Sequence, residues 1–235
     1  MTVVQPDIPV INRRGSLEVR WILPGAPEAA VAGWFACFEA TVESREDIYL
    51  LDPRSPGMSV KLRDGRSFEV KVYRGSPGIL EVAGCARGRR ESWDKWSIPN
   101  DQLSQDGAAL PGRCPVRKLI RKFTLAGGQS VARVAGLDEE AACEVELTEV
   151  QARGRAWWTL AFEATGPARL LRGELETSAA LVFAQAPPGA VELGTDDSQS
   201  YARWLTDGRM PSGAERAEPK VPPDVWGRRP GTCRP

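Results

Sequence analysis

The sequence predicts an antiparallel α+β protein whose strands form a closed barrel or a strongly curved sheet. Three observations support this prediction. Short runs of alternating apolar and polar residues recur along the chain, which indicates half-buried strands. Turn-forming dipeptides such as Asp64-Gly65 join these runs into hairpins. Only two segments follow the helical period, and a sheet with many strands and few helices has to close or curl to protect its edges.

The first half of the chain is predicted to contain a strand, a helix and a hairpin. Alternation over 16–23 predicts a strand, and the helical spacing of apolar residues over 27–41 predicts a helix. Alternation returns over 42–53, and residues 58–75 are predicted to form a hairpin. The apolar residues that define the helix are Val31, Trp34, Phe35 and Phe38.

The second half repeats this organisation. Alternation predicts strands over 78–88, 91–99 and 115–125, and a second hairpin with an Arg-Gly turn over 141–166. Residues 168–185 have the spacing of a helix. Most of the predicted strands are therefore expected to form antiparallel pairs.

The predicted elements divide the chain into one domain and two flanking segments. Residues 1–14 show no periodicity and are expected to be an irregular lead-in, and 15–207 are expected to form the domain. Within it, 200–205 is a short apolar anchor. Residues 208–235 are rich in proline, glycine and charge, so we expect a disordered tail.

Composition excludes several classes of function. The 31 basic and 31 acidic residues balance, so no overall field favours nucleic acid or a membrane surface. The chain has no histidine, which excludes Ser-His and Cys-His nucleophiles and the usual zinc sites. Five cysteines occur without a C-x-x-C pair and are typical of reduced thiols. No signal peptide is recognisable, and we expect a cytoplasmic protein.

Charged residues alternate along one face of several predicted strands. Lys61 and Arg63 share a face of one strand of the first hairpin, and Glu69 and Lys71 share a face of the other. The same rule pairs Glu18 with Arg20 and Glu144 with Glu146, places Glu163 with Thr159, and leaves 115–125 presenting either Arg117 and Arg121 or Lys118 and Lys122.

Two interpretations of these charged faces are open. They form a solvated outer face stabilised by cross-strand pairs, or they line the interior of the barrel while the helices cover its apolar exterior. Converging lysines and arginines in such an interior would suit phosphate groups, and a separate carboxylate cluster would suit a divalent cation.

The order of these motifs is similar to that of a known superfamily. "LEVRW", a helix, "REDIYLLDP", "VKLRDGRSFEVKVYRG", "CEVELTEV" and "GRAWWTLAFEATG" over 16–205 resemble the CYTH, or triphosphate tunnel metalloenzyme, superfamily. The resemblance implies an eight-stranded antiparallel tunnel with charged inner walls and flanking helices. It also implies Mg²⁺ or Mn²⁺ as the cofactor, and chemistry such as hydrolysis of tripolyphosphate or thiamine triphosphate, or synthesis of cyclic AMP.

The resemblance also implies a role for each charged residue that matches the family's motifs. The implied catalytic residues are Lys61, Arg63, Glu69 and Lys71. The implied substrate-binding residues are Arg20, Lys61, Arg63, Lys71, Lys118 and Arg121. The implied metal ligands are Glu18, Glu144, Glu146 and Glu163.

One departure from the family keeps the activity open. The family hallmark E-x-E-x-K becomes Ser16-x-Glu18-x-Arg20 here, so one expected metal ligand is a serine. The favoured hypothesis is a metal-dependent enzyme acting on a polyphosphate or an organic di- or triphosphate. The alternatives are a non-catalytic phosphate-binding module, and a remodelled tunnel for ionising or cyclising a prenyl-type diphosphate. The partner expected in every case is a phosphate-bearing small molecule.

Tryptophans bear on the organic part of such a ligand. We expect the indoles to belong to the core, although indoles at a tunnel mouth would suit an organic group. The tryptophans in question are Trp21, Trp93, Trp96, Trp157 and Trp158.

Overall fold

Ten strands and three helices follow one another along the residues that the computed structural model describes, which are 12–55, 57–99, 112–126, 140–186 and 192–207. The strands are β1 (Asn12–Pro24), β2 (Thr41–Leu50), β3 (Met58–Arg63), β4 (Ser67–Gly75), β5 (Ile79–Val82), β6 (Ala86–Arg89), β7 (Glu91–Pro99), β8 (Arg113–Ala126), β9 (Ala142–Ala152) and β10 (Arg155–Thr165). The helices are α1 (Ala29–Phe35), α2 (Ala168–Phe183) and α3 (Tyr201–Asp207).

Eight of the strands close into an antiparallel barrel, as predicted. Their order around the barrel is β1-β10-β9-β8-β2-β3-β4-β7, and β7 pairs again with β1. Closure gives every barrel strand two neighbours, so no long edge is left to pair with another chain. β1 begins at Asn12, inside the predicted lead-in, and the rest of that segment lies outside the described residues.

Both predicted hairpins form, and their turns explain why. Asp64 and Gly65 join β3 to β4 with φ angles of 48° and 67°. Arg153 and Gly154 join β9 to β10 with φ angles of 51° and 74°. Two successive residues with positive φ match the right-handed twist of the flanking strands, and glycine at the second position adopts that conformation without steric cost.

The main hydrophobic core lies outside the barrel, between its wall and two helices. Outward-facing residues of β1, β9 and β10 pack against α2, and Phe123 of β8 lies 5.4 Å from Phe35 of α1, between ring centroids. The centre of this core is formed by Val19, Trp21, Leu147, Leu160, Phe162, Leu175 and Phe183. Because side chains alternate along a strand, an apolar exterior sends the charged residues of these strands inward.

A second core closes one end of the barrel. Tyr201, Trp204 and Leu205 of α3 pack against Ile22 and Trp157, and the Trp157 and Trp204 rings lie 5.1 Å apart. The segment predicted only as an apolar anchor is therefore a helix that seals the barrel. The corresponding inward positions of the strands are apolar at this end, which explains why the helix packs there.

An additional hairpin, β5 and β6, lies outside the barrel and is not predicted as such by the sequence. Main-chain hydrogen bonds also connect the segment before α3 to β1. Ile22 N–H donates to Asp197 O at 2.9 Å, and Gln199 N–H donates to Arg20 O at 3.0 Å. These bonds occur where the pairing of β1 with β7 has ended, at Glu18. Residues 197–199 therefore extend the barrel wall beside β1.

The described residues bear on two properties of the chain, its helices and its cysteines. None of the helices among these residues is long and apolar enough to cross a membrane. The four described cysteines are free thiols: Cys37, Cys85, Cys114 and Cys143. The fifth cysteine and the predicted tail 208–235 lie outside the described residues.

Candidate functional site: a charged barrel interior

The charged face of the first hairpin looks into the barrel. Lys61 and Arg63 of β3, and Glu69 and Lys71 of β4, line a central cavity of about 90 Å³. That volume holds a few water molecules. The outer-face interpretation is therefore wrong for this hairpin, and the four residues with predicted catalytic roles lie in one cavity.

The other predicted site residues join them, with one exception. Arg20 and Lys118, predicted to bind substrate, line the cavity, as do all four predicted metal ligands, Glu18, Glu144, Glu146 and Glu163. Arg121 does not line the cavity, and its Nη1 donates to Glu149 Oε1 at 2.7 Å on the outside of the barrel. Since Lys118 and Arg121 are three residues apart on a strand, they cannot share a face, and the prediction for Arg121 is wrong.

Four glutamates form a row across one wall of the barrel. The strand register places Glu91 opposite Glu18, Glu18 opposite Glu163, and Glu163 opposite Glu144. Like charges directly opposite one another destabilise a sheet. Burial and the charge of Glu18 raise the pKa of both Glu91 and Glu163. We call these four residues the carboxylate row.

Lys71 provides positive charge at the centre of the carboxylate row. Its Nζ donates to Glu18 Oε1 and lies 3.5 Å from Glu163 Oε1. Ser16 Oγ also donates to Glu18 Oε1, at 2.7 Å. Burial favours the neutral form of Glu18, but Lys71 and Ser16 outweigh it and lower the pKa of Glu18. Ser16 therefore orients the carboxylate of Glu18.

The opposite wall carries the cations, gathered around two buried carboxylates. Asp47 on β2 accepts from Lys118 at 2.8 Å, from Lys61 at 3.1 Å and from Arg45 at 3.1 Å. Burial raises the pKa of Asp47, but these three cations outweigh burial and leave it well below its usual range. We call β2, β3, β4 and β8 the basic wall.

Glu69 is the second carboxylate of the basic wall. Lys61 and Arg63 each lie 3.0 Å from its oxygens, and Lys95 lies 3.5 Å away. Burial is again outweighed, chiefly by Lys61 and Lys95, and the pKa of Glu69 is lowered. Glu69, one of the four residues predicted to be catalytic, thus holds three cations in place in this conformation.

Arg20 lies at the sealed end of the cavity, where it contacts β9, β10 and α3. It donates to Glu146 Oε2 at 3.2 Å and to Thr159 Oγ1 at 3.1 Å, and its guanidinium lies 4.7 Å from the centroid of the Tyr201 ring. Burial favours neutral Glu146, but Arg20 and Lys118 lower its pKa to about 2. Tyr201 therefore forms the floor of the cavity.

The cavity continues towards the end of the barrel opposite α3. A neighbouring cavity of about 420 Å³ shares Arg63, Glu69, Lys95 and Glu163 with the central one and is also lined by Ser16. Ile22 packs against α3, and six residues at about 3.3 Å each separate it from Ser16 along β1. We call this second cavity the mouth.

The predicted metal ligands are carboxylates that hold cations of the protein. Within the described ranges no three His, Cys, Asp or Glu side chains are grouped so as to hold a metal ion. The predicted ligands instead bind protein cations: Glu18 and Glu163 contact Lys71, Glu146 contacts Arg20, and Glu144 contacts Lys122. The donors are oxygen atoms only, which are the ligands that Mg²⁺ and Mn²⁺ prefer.

Several cavity residues were missed by sequence reasoning. Arg45, Asp47 and Tyr49 alternate within 42–53, as Glu91, Trp93 and Lys95 do within 91–99, so the period-two signal for both sets was present. Trp93 lines the cavity, Trp21, Trp157 and Trp158 lie in the cores, and Trp96 is half-buried. Tyr201 lies on α3, and no local signal in the sequence places that helix at the end of the barrel.

Comparisons with known proteins leave the family open. No family model matches the chain, and no curated protein matches it. Seven solved chains are similar to it. One is described as the structure of PH1819 protein from Pyrococcus Horikoshii OT3, which is 15% identical, with a TM-score of 0.42 over 82% of this chain and 99% of that chain. We therefore base the proposed function on the cavity itself.

Proposed function

We propose that the barrel binds the phosphate groups of a polyphosphate or of an organic di- or triphosphate, together with Mg²⁺ or Mn²⁺, and acts on a phosphate bond. One observation carries this proposal. A basic wall and a carboxylate row face each other across a cavity that is sealed at one end and open at the other. This is the distribution of charge that a phosphate chain and its metal ion require.

The cations of the basic wall would hold the phosphates. Lys61, Arg63 and Lys71 form ion pairs with carboxylates of the protein in the described structure. An incoming phosphate would replace Glu69 or Glu18 as the partner of these cations and accept their charge-assisted hydrogen bonds. The cations are already gathered on one side, so their positions need little reorganisation.

The carboxylate row would hold the metal ion. Glu18 and Glu163 face each other across β1 and β10, and burial together with the charge of Glu18 raises the pKa of Glu163, so Lys71 offsets the negative charge of this part of the wall only in part. When bound, a divalent ion supplies neutralisation of charge on the phosphoryl group. Ser16 keeps Glu18 oriented, and Lys71, released from Glu18, would turn to the phosphate.

A second candidate function is a phosphate-binding module without catalysis. Ser16 stands where the family has a glutamate, and it donates a hydrogen bond instead of offering a carboxylate. A site with one acidic ligand fewer would hold the metal weakly and depend on the phosphate to complete the coordination shell. This candidate predicts phosphate binding without turnover.

Calorimetric titration with tripolyphosphate, with and without Mg²⁺, tests the proposal. We expect wild-type protein to bind more tightly with Mg²⁺, and Glu163→Gln to lose that enhancement while keeping metal-free binding. Arg121→Gln, on the outside of the barrel, is the matched control and should behave like wild type. Release of inorganic phosphate would establish the enzyme, and binding without release would favour the module. Absence of tripolyphosphate binding under both conditions would overturn both.

A further inference from the structure

We propose that Arg89, with Gln199, Ser200 and Tyr201, forms a subsite for the terminal phosphate of the ligand at the sealed end of the cavity. The inference rests on the proposed function and specifies the orientation of the ligand. All four residues line the central cavity. None of them belongs to the barrel strands: Arg89 comes from the hairpin of β5 and β6, and the others come from α3 and the segment before it.

Arg89 differs from the other cations of the cavity in having no acidic partner among the described residues. Eight basic side chains line the cavity, and seven of them form ion pairs: Arg20, Arg45, Lys61, Arg63, Lys71, Lys95 and Lys118. The Arg89 guanidinium forms no ion pair with any residue in the described part of the chain. Its Nε is buried and has no hydrogen-bond partner there. A buried donor without a partner is destabilising, which makes an acceptor at this position favourable.

An anion competes with fewer carboxylates of the protein at Arg89 than at the other cations. At Lys61 or Lys71, a phosphate has to displace Asp47, Glu69 or Glu18 from an existing ion pair. At Arg89, it displaces no carboxylate. A guanidinium also presents parallel N–H donors that match two oxygens of one phosphate. Gln199 and Ser200 line the same cavity and add neutral polar side chains.

The position of Arg89 is fixed by the packing of its hairpin on β1. Its backbone N–H donates to Ser198 Oγ at 2.8 Å, and Trp21 Nε1 donates to Arg87 O at 2.9 Å. A Cβ added to Gly88 would lie 2.5 Å from both Trp21 Cζ2 and Val19 Cγ2, so only glycine allows this close approach. The strand that carries Arg89 is therefore held rigidly against the barrel wall.

The location of Arg89 gives the ligand a direction. Arg89, Gln199, Ser200 and Tyr201 line the central cavity but are not among the residues that line the mouth. The backbone N–H of Gln199 donates a hydrogen bond to the backbone carbonyl of Arg20, and the guanidinium of Arg20 lies over the Tyr201 ring that forms the floor. The terminal phosphate would therefore enter first, and the rest of the ligand would extend towards the mouth.

Titration with tripolyphosphate, with and without Mg²⁺, tests the subsite in three variants. We expect Arg89→Gln to bind about 10- to 100-fold more weakly than wild type, the loss typical of a charged hydrogen-bonding partner. Arg89→Lys keeps the charge but not the fork and should fall between them. Arg87→Gln, an exposed residue of the same strand, is the control and should bind like wild type.

Thermal unfolding separates binding from folding. Arg89→Gln should not lower the melting temperature, because no described carboxylate loses a partner. Lys61→Gln should lower it, because Asp47 and Glu69 both lose one. Wild-type affinity in Arg89→Gln would overturn the subsite and leave the proposed function intact. If wild-type protein itself binds no tripolyphosphate, with or without Mg²⁺, the proposed function fails and the subsite fails with it.

Discussion

Buried carboxylates on the two walls of the cavity have pKa values shifted in opposite directions. On the basic wall, Asp47 and Glu69 are each surrounded by three cations, and their pKa values are lowered. In the carboxylate row, Glu91 and Glu163 face another glutamate, and their pKa values are raised. All four are largely shielded from water, so burial alone does not separate them. The neighbouring charges across the strands therefore decide whether the pKa of each buried carboxylate is lowered or raised.

The two walls also differ in whether their charges are balanced by the protein itself. The basic wall carries its own counter-charges and is complete in the protein alone. The carboxylate row has an excess of negative charge that Lys71 offsets only in part. We infer that the two buried carboxylates of the basic wall stabilise the fold, whereas the excess negative charge of the carboxylate row destabilises it until a cation binds, and variants of each wall test that distinction.

The largest expected effect is that of Asp47→Asn. It would leave Lys118, Lys61 and Arg45 without their shared buried counter-ion, and removal of one partner from a buried ion pair destabilises a protein by about 3–5 kcal/mol. Chemical denaturation at pH 7 measures the change. Asp52→Asn, which breaks an exposed pair with Arg54, is the control and should cause little change. Equal stability of the two variants would show that the basic wall does not stabilise the fold.

A smaller loss is expected for Glu69→Gln. Its partners Arg63 and Lys95 keep some contact with water, so we expect a loss of about 1.5–3 kcal/mol, typical of a hydrogen bond to a charged group. The folded-state pKa of Glu69 is lowered, so its contribution is present above the unfolded pKa of about 4.3 and is lost as the pH falls through the lower folded value. Denaturation curves of wild type and variant should therefore converge in strong acid.

The opposite sign is expected for Glu91→Gln. The pKa of Glu91 is raised by burial and by Glu18, so the ionised group destabilises the folded state at neutral pH. The neutral glutamine should increase the melting temperature at pH 7. This advantage should disappear as the pH falls through the raised folded pKa, because native Glu91 then takes up a proton. A melting temperature lowered at pH 7 would contradict the picture of a wall with excess negative charge.

The smallest effect is expected for Arg121→Gln. Arg121 pairs with Glu149 on the outside of the barrel, where both side chains are about a third exposed. Such surface pairs contribute about 0–1 kcal/mol. Stability should change by no more than this amount, and Lys118→Gln should be far more damaging, because Lys118 is buried between Asp47 and Tyr49. Similar losses in the two variants would mean that the inner and outer faces of β8 are wrongly distinguished.

The sequence by itself determined the strands of the barrel, the two hairpin turns and helix α2. It also determined which charges share a face within one strand, such as Lys61 with Arg63 and Glu144 with Glu146. These features follow from local periodicity and from the φ angles that glycine allows, and both operate within a few residues. The same rule, applied consistently, excludes Arg121 from the face that carries Lys118.

Only the tertiary structure decided which charges meet across strands. Glu18 lies opposite both Glu91 and Glu163, and the closure of the barrel sets that register rather than any local pattern. A shift of one residue would turn a whole strand face outward, so register depends on the packing of the complete barrel. The floor provided by Tyr201 likewise depends on an element that packs against the barrel from outside, and so does the guanidinium of Arg89, which forms no ion pair within the described ranges. No local sequence pattern specifies contacts between such distant segments.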